Sequence, residues 1–203
     1  MTDQLTKVNI QPFDYQYLKG LLREYRYPRN KISKMLKSGE IVALKSGLYV
    51  LAKRYGRSIV PETVANLLYG PSYVSLDYAL AKYALIPELA YQVTSVTTGR
   101  GKIFSTEVGT YTYQHLKTDY YKLAYRMRKA ADQGYLIASP EKALCDKLYL
   151  ARRLGDRRAL EIYLYEDLRI DYSGLHALDK RMISSLAETA NKHNLRLLKE
   201  LLS

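Results

Sequence analysis

Residues 28–52, PRNKISKMLKSGEIVALKSGLYVLA, decide the fold of the N-terminal part of this chain. Tyr27-Pro28 disfavours helix before the proline and lets one start at it. Ile32, Met35 and Leu36 then fall at i, i+3, i+4 and form one apolar stripe. Asn30, Lys34 and Lys37 project from the opposite face, with Lys31 to one side. Ser38-Gly39 ends the helix, because glycine readily takes the left-handed conformation past a C-cap. Ile41 to Lys45 and Leu48 to Leu51 are β-prone runs joined by Ser46-Gly47, a hairpin-type turn, with Lys45 near its tip. A short basic helix running into a two-stranded ribbon reads as the recognition helix and wing of a winged helix-turn-helix, with duplex DNA as the expected partner.

Charge supports that reading. Residues 1–58 carry 12 Lys and Arg against 4 Asp and Glu, a net +8 of the chain's +12. The remaining residues carry 20 against 16. A concentrated basic module is the electrostatic footprint of a phosphate-binding surface.

Upstream, Asp14 is placed to cap a helix carrying Leu18, Leu21, Leu22 and Tyr25, which would pack on the Ile32/Met35/Leu36 stripe. A winged helix usually has three helices, and the third is expected either from the first residues or from downstream. Arg54 to Arg57 reads as a linker. Pro61 opens the next helix, which ends at Tyr69-Gly70-Pro71. Ser75 is placed to cap another, through Leu76, Ala79, Leu80 and Tyr83. From Tyr91 on, Val93, Val96, Ile103, Val108, Tyr111 and Tyr113 lie in short β-prone segments broken by glycine, for which an antiparallel meander is the simplest arrangement. Leu123–Met127 and Tyr135–Ala138 add candidate strands. Ser139-Pro140-Glu141 is a helix start, and two further helices are expected near 156–168 and 179–202. The expectation is an α+β protein: a winged helix-turn-helix over 1–58 and a mixed α+β domain over 59–203.

The chain has 203 residues, 47% of them hydrophobic, with 21 Tyr against 2 Phe and no Trp. Tyrosine can fill a core while its hydroxyl keeps a polar partner, so packing is the expected use. The single cysteine, Cys145, excludes an internal disulfide and reads as a small buried hydrophobe. The first residues lack the apolar core of a signal peptide, and no apolar run approaches the ~18 residues of a membrane span. A soluble, cytoplasmic protein is expected.

Several segments taken together resemble a known family. GEIVALKSGLYVL (39–51), SYVSLDYALAKYALIPE (72–88), YQVTSVTTGRGKIF (91–104), GTYTYQHL (109–116) and IASPEKALCDKLYL (137–150) are similar to the AbiEi-type antitoxins and their transcriptional-regulator relatives. YVSLDYAL and ASPEKALCDKL are the most specific pieces. The resemblance implies an N-terminal winged helix-turn-helix that binds operator DNA and represses its own operon, and a C-terminal α+β domain to which antitoxicity is attributed. It also implies a partner toxin of the AbiEii type, nucleotidyltransferase-like, in a system of the type IV, abortive-infection kind that requires no stable complex.

The residues expected to meet DNA are Arg29, Asn30, Lys34 and Lys37, with Lys31 at the edge and Lys45, Arg54 and Arg57 as phosphate contacts from the wing and linker. Lys and Arg neutralise phosphates, and Asn can pair bidentately with adenine. The bland alternative for Asn30 is a helix-capping residue, and for the basic side chains a solvated surface. Ser139, Glu141 and Asp146 read as cap, first-turn acid and surface polar residue.

No catalytic residues, metal or cofactor are expected. The main rivals are a metal-dependent nuclease and a protein-interaction module. No Asp or Glu is followed two residues on by Lys, which disfavours a restriction-type site. His115, His176 and His193 lack metal-ligand spacing. Gly99-Arg100-Gly101-Lys102 lacks the leading Gly and the Ser/Thr of a phosphate loop and reads as a hairpin turn.

Overall fold

A computed structural model describes residues 3–56 and 58–203. The chain opens with a 3-10 turn, Asp3–Lys7, and a two-residue strand β1, Phe13–Asp14. Helix α1, Tyr15–Leu21, starts where the Asp14 carboxylate accepts from the Tyr17 N–H at 2.8 Å. Helix α2 spans Pro28–Lys37, with proline at its first position, and Gly39 follows it at φ +61°. Strands β2, Ile41–Lys45, and β3, Leu48–Leu51, pair antiparallel around Gly47 at φ +80°. β1 adds to the other side of β3, giving the order β1-β3-β2. Leu18 and Leu22 meet Ile32 and Met35 in one buried cluster, as the stripes require. Leu5 and Val8 enter the same cluster, so a 3-10 turn and the residues after it, not a third α-helix, pack there.

The rest of the chain builds a six-stranded sheet flanked by helices. In chain order these are α3 (Pro61–Leu68), β4 (Ser72–Val74), α4 (Leu76–Lys82), β5 (Val93–Thr97), β6 (Lys102–Thr106), β7 (Gly109–His115), α5 (Thr118–Tyr121), β8 (Tyr125–Ala130), β9 (Gln133–Ala138) and α6 (Pro140–Leu150). Then come α7 (Arg157–Ile162), a π turn over Tyr163–Asp167, α8 (Tyr172–His176), α9 (Lys180–Ala190) and α10 (His193–Leu202). The protein is therefore mixed α+β with two sheets.

The strand order, β6-β7-β5-β4-β9-β8, is not a meander. β5 runs parallel to β7, and β4 parallel to β9. Every residue of β5 is buried, as expected of a strand covered on both faces and flanked on both sides. Local alternation locates strands without ordering them. The Gly99–Lys102 segment is consequently no hairpin turn: it carries the chain from β5 across to the far side of β7. A Cβ at Gly99 would sit 2.7 Å from the Tyr69 hydroxyl, so a larger residue there would displace the end of that side chain. Val108 lies in the turn before β7, outside the strands. The expected helix over 179–202 is two helices, broken where Asn191 takes φ +46°.

The small sheet serves two cores. Ile41, Tyr49 and Leu51 join the N-terminal cluster, while Leu44, Leu48 and Val50 join the large core beside Val60 and Val64. All four residues of β3 are buried for this reason. Tyrosine fills the large core as expected: Tyr73, Tyr111, Tyr113 and Tyr120 are among its most buried side chains, and the Tyr113 hydroxyl donates to the Ala65 carbonyl at 2.6 Å. Asn66 of α3 bridges the sheet where β4 is short: its amide donates to the Ser72 and Leu136 carbonyls, and its oxygen accepts from the Leu136 N–H at 2.6 Å. Among the described residues, no helix is long and apolar enough to cross a membrane.

Candidate nucleic-acid interface

Helix α2 is anchored by Ile32 and Met35, both buried, with Leu36 half-buried beside them. That burial fixes which side chains face water. Arg29, Asn30, Ser33, Lys34 and Lys37 are exposed, and Lys31 is half-buried. Arg29, Ser33 and Lys37 follow one another at four-residue steps, so they share a stripe with Asn30 and Lys34 alongside. The N-cap position belongs to Tyr27, which makes no side-chain cap bond. Asn30 is the third helical residue and has no side-chain hydrogen bond within the described residues, which removes the capping alternative.

Two of the cations are steadied by tyrosines. The Arg29 Nε donates to the Tyr15 hydroxyl at 3.3 Å, and the Lys31 ammonium lies 5.5 Å from the Tyr25 ring centroid. Both contacts tie α2 to the preceding helix and its loop. Arg54 stands exposed on the 3-10 turn after β3, with its guanidinium 5.5 Å from the Tyr55 ring. Arg57 lies outside the described residues. Arg23 and Arg26 are exposed between α1 and α2, and Lys53 beside Arg54. They belong to no apolar period, so no pattern in the sequence sets them apart from ordinary surface charge.

Lys45 is placed differently from the rest. Its ammonium donates to the Leu67 and Leu68 carbonyls at 2.7 and 2.8 Å, at the C-terminal end of α3. Burial, with Lys102 nearby, holds its pKa below the usual lysine value. This cation satisfies orphan carbonyls at the negative end of a helix dipole. It fastens the ribbon to the large domain.

The segments 72–88 and 137–150 meet in the interior. Ser139 caps α6 by accepting from the Lys142 N–H at 3.2 Å, and Glu141 accepts from the Asp179 N–H at 3.3 Å. Asp146, however, is no surface residue. It is fully buried, and so is Lys142, whose ammonium lies 2.9 Å from the Asp146 Oδ1. The Ser75 and Tyr73 hydroxyls donate to the Oδ2 at 2.7 and 3.1 Å, and Lys142 donates to the Tyr120 carbonyl at 2.9 Å. Ser75 occupies the N-cap position of α4 but makes no cap bond, because its hydroxyl is committed to Asp146. Cys145 is buried beside them, and desolvation pushes its thiol pKa up. With both charged partners sealed from solvent, the cluster offers no approach for a substrate. It is a packed polar core.

Among the described residues, no three His, Cys, Asp or Glu side chains converge as metal ligands. The ring nitrogens of His115 and His176 bond the Gly99 and Tyr172 carbonyls. A cleft of about 750 Å³ lies between the start of α4, the end of α6 and the open face of β6 and β7. Its ionic groups are Lys102, Lys147 and Asp77, and Lys147 and Asp77 are paired with each other at 2.7 Å. Comparison with protein-family models and with curated proteins finds no match for this chain.

Proposed function

We propose that the protein is a DNA-binding transcriptional regulator whose N-terminal unit is a winged helix-turn-helix. In this reading α2 is the recognition helix, β2 and β3 are the wing, and the setting is the cytoplasm. We further propose that it acts as an AbiEi-like antitoxin, repressing its own operon and opposing a nucleotidyltransferase-like toxin without an obligatory complex. One observation carries the reading: α2 is held by a buried apolar stripe that leaves Arg29, Asn30, Lys34 and Lys37 together on its solvent face. A helix of that size and charge fits the major groove, where the cations neutralise phosphates and the amide reads a base edge.

The test is a titration of the purified chain with the duplex upstream of its own reading frame and with a scrambled duplex, at two salt concentrations. Tight binding to the upstream duplex alone supports an autoregulator. Equal, weak and salt-sensitive binding to both overturns it and favours a protein partner, and cleavage of the duplex with added Mg²⁺ favours a nuclease. Co-expression with a neighbouring nucleotidyltransferase-like reading frame tests antitoxicity separately, and unrelieved growth arrest would refute that role.

A further inference from the structure

We propose that the cavity between the end of α6 and the start of α10 binds a phosphate group. The cavity is about 350 Å³ and is lined by Tyr149, Arg153, Lys192, His193, Asn194 and Arg196, among others. Arg153 comes from the loop after α6, Lys192 is the residue before α10, and Arg196 lies in its first turn. All three cations are exposed, and no carboxylate lines the cavity. Among the described residues, none of the three is ion-paired.

This placement works against the stability of the chain by itself. The start of a helix is already the positive end of its dipole and favours acids. The first turn of α10 has no acid, and its N-cap residue, Lys192, supplies no side-chain cap. Three further positive charges gathered there repel one another until an anion joins them. His193 lines the same cavity, and among the described residues its Nε2 is a buried polar atom with no hydrogen-bond partner.

The arrangement is also held in place. Asn194, almost fully buried, donates to the Leu148 and Arg152 carbonyls at 3.0 and 3.1 Å and accepts from the Leu154 N–H at 2.9 Å. This clamp fixes the loop that bears Arg153 against the first turn that bears Arg196. The Lys192 ammonium rests 4.8 Å from the Tyr149 ring centroid, on the same cavity wall. Preorganised cations from separate segments are what a phosphate dianion requires, since arginine offers it paired donors and lysine a point charge. The source is either a free phosphorylated small molecule or a nucleic-acid backbone. The site is independent of the α2 reading.

Titration of the full chain with inorganic pyrophosphate at low ionic strength tests this, followed by heat of binding and by the His193 imidazole NMR signals. Saturable one-site binding with movement of the His193 signals is expected. Arg153→Ala with Arg196→Ala, both at exposed positions, should weaken it more than tenfold with an unchanged circular dichroism spectrum. Lys34→Ala with Lys37→Ala on α2, and Arg126→Ala with Arg128→Ala on β8, should leave it intact. Non-saturating heats, or an equal loss in the β8 variant, would overturn the site. If saturating pyrophosphate lowers duplex affinity and the Arg153/Arg196 variant flattens its salt dependence, the phosphate belongs to a nucleic-acid backbone. If duplex binding is indifferent to both, the ligand is a small phosphorylated molecule.

Discussion

The Ser75 hydroxyl donates to the Asp146 carboxylate at 2.7 Å across 71 positions of chain, and so joins the turn after β4 to the middle of α6. Leu76, next to it, holds φ +59°, a costly conformation for leucine that persists only where its surroundings over-determine it. The same carboxylate receives Tyr73 and faces Lys142. Burial draws both charged partners toward neutrality, raising the Asp146 pKa and lowering that of Lys142, while their mutual attraction opposes this.

Removing one partner strands the other. Lys142→Met should therefore destabilise the protein by about 3–5 kcal/mol. Adding Asp146→Leu should cost less than the sum of the two single changes, because the second removes the stranded charge. Urea denaturation of the two single variants and the double variant measures this, and strict additivity would show that the ion pair does not couple them.

Lys45 separates a structural from a binding role. Lys45→Met keeps the apolar stem but loses two hydrogen bonds to the end of α3. The side chain is partly exposed, so the loss should be only about 1 kcal/mol. Duplex affinity should change little if capping is the whole role of this lysine. A large loss of affinity with unchanged stability would assign it to phosphate instead.

The local features were legible because they are local. Tyr27-Pro28, the Ile32/Met35 stripe and Gly47 each act within a few residues, and α2, β2 and β3 fall where these predict. The middle of α6 is less legible. Asp146 has Leu144, Cys145 and Leu148 around it in the sequence, but a carboxylate by itself reads as a surface group, and only the approach of Tyr73 and Ser75 from another segment makes it interior. Strand order failed for the same reason: Val93 opposite Tyr111 in parallel is a pairing that neither segment encodes alone. Of the candidate interface, the α2 residues could be read from helical period. The partner of Lys45 lies 22–23 residues downstream, beyond any periodic signal.

The tyrosine-rich core gives a pH dependence of known sign. Burial pushes the Tyr111 and Tyr121 hydroxyls up to about 12, from an ordinary value of 10.0. A group whose pKa is raised by folding keeps its contribution below the unfolded value and loses it as pH rises through the folded one. Stability should hold up to about pH 10 and then decline toward pH 12. Absorbance at 295 nm should show a delayed fraction of tyrosines whose ionisation coincides with loss of the circular dichroism signal. A single titration near pH 10 with the fold intact would contradict this burial.

The interface proposed on α2 predicts two different losses from one helix. Lys34→Ala with Lys37→Ala removes two cations without touching the buried stripe, so stability should stay within about 0.5 kcal/mol. Each phosphate contact releases condensed counterions, so the slope of log affinity against log salt should become shallower by about 2, for specific and scrambled duplex alike. Asn30→Ala leaves the charge unchanged. It should weaken the preferred duplex by about 1–3 kcal/mol, relax the preference for adenine at one position and spare the scrambled duplex. Gel-shift titrations of both variants over a salt series distinguish these outcomes. If the lysine variant keeps the wild-type slope, α2 does not face the phosphates. If Asn30→Ala weakens both duplexes equally, its amide positions the helix and reads no base.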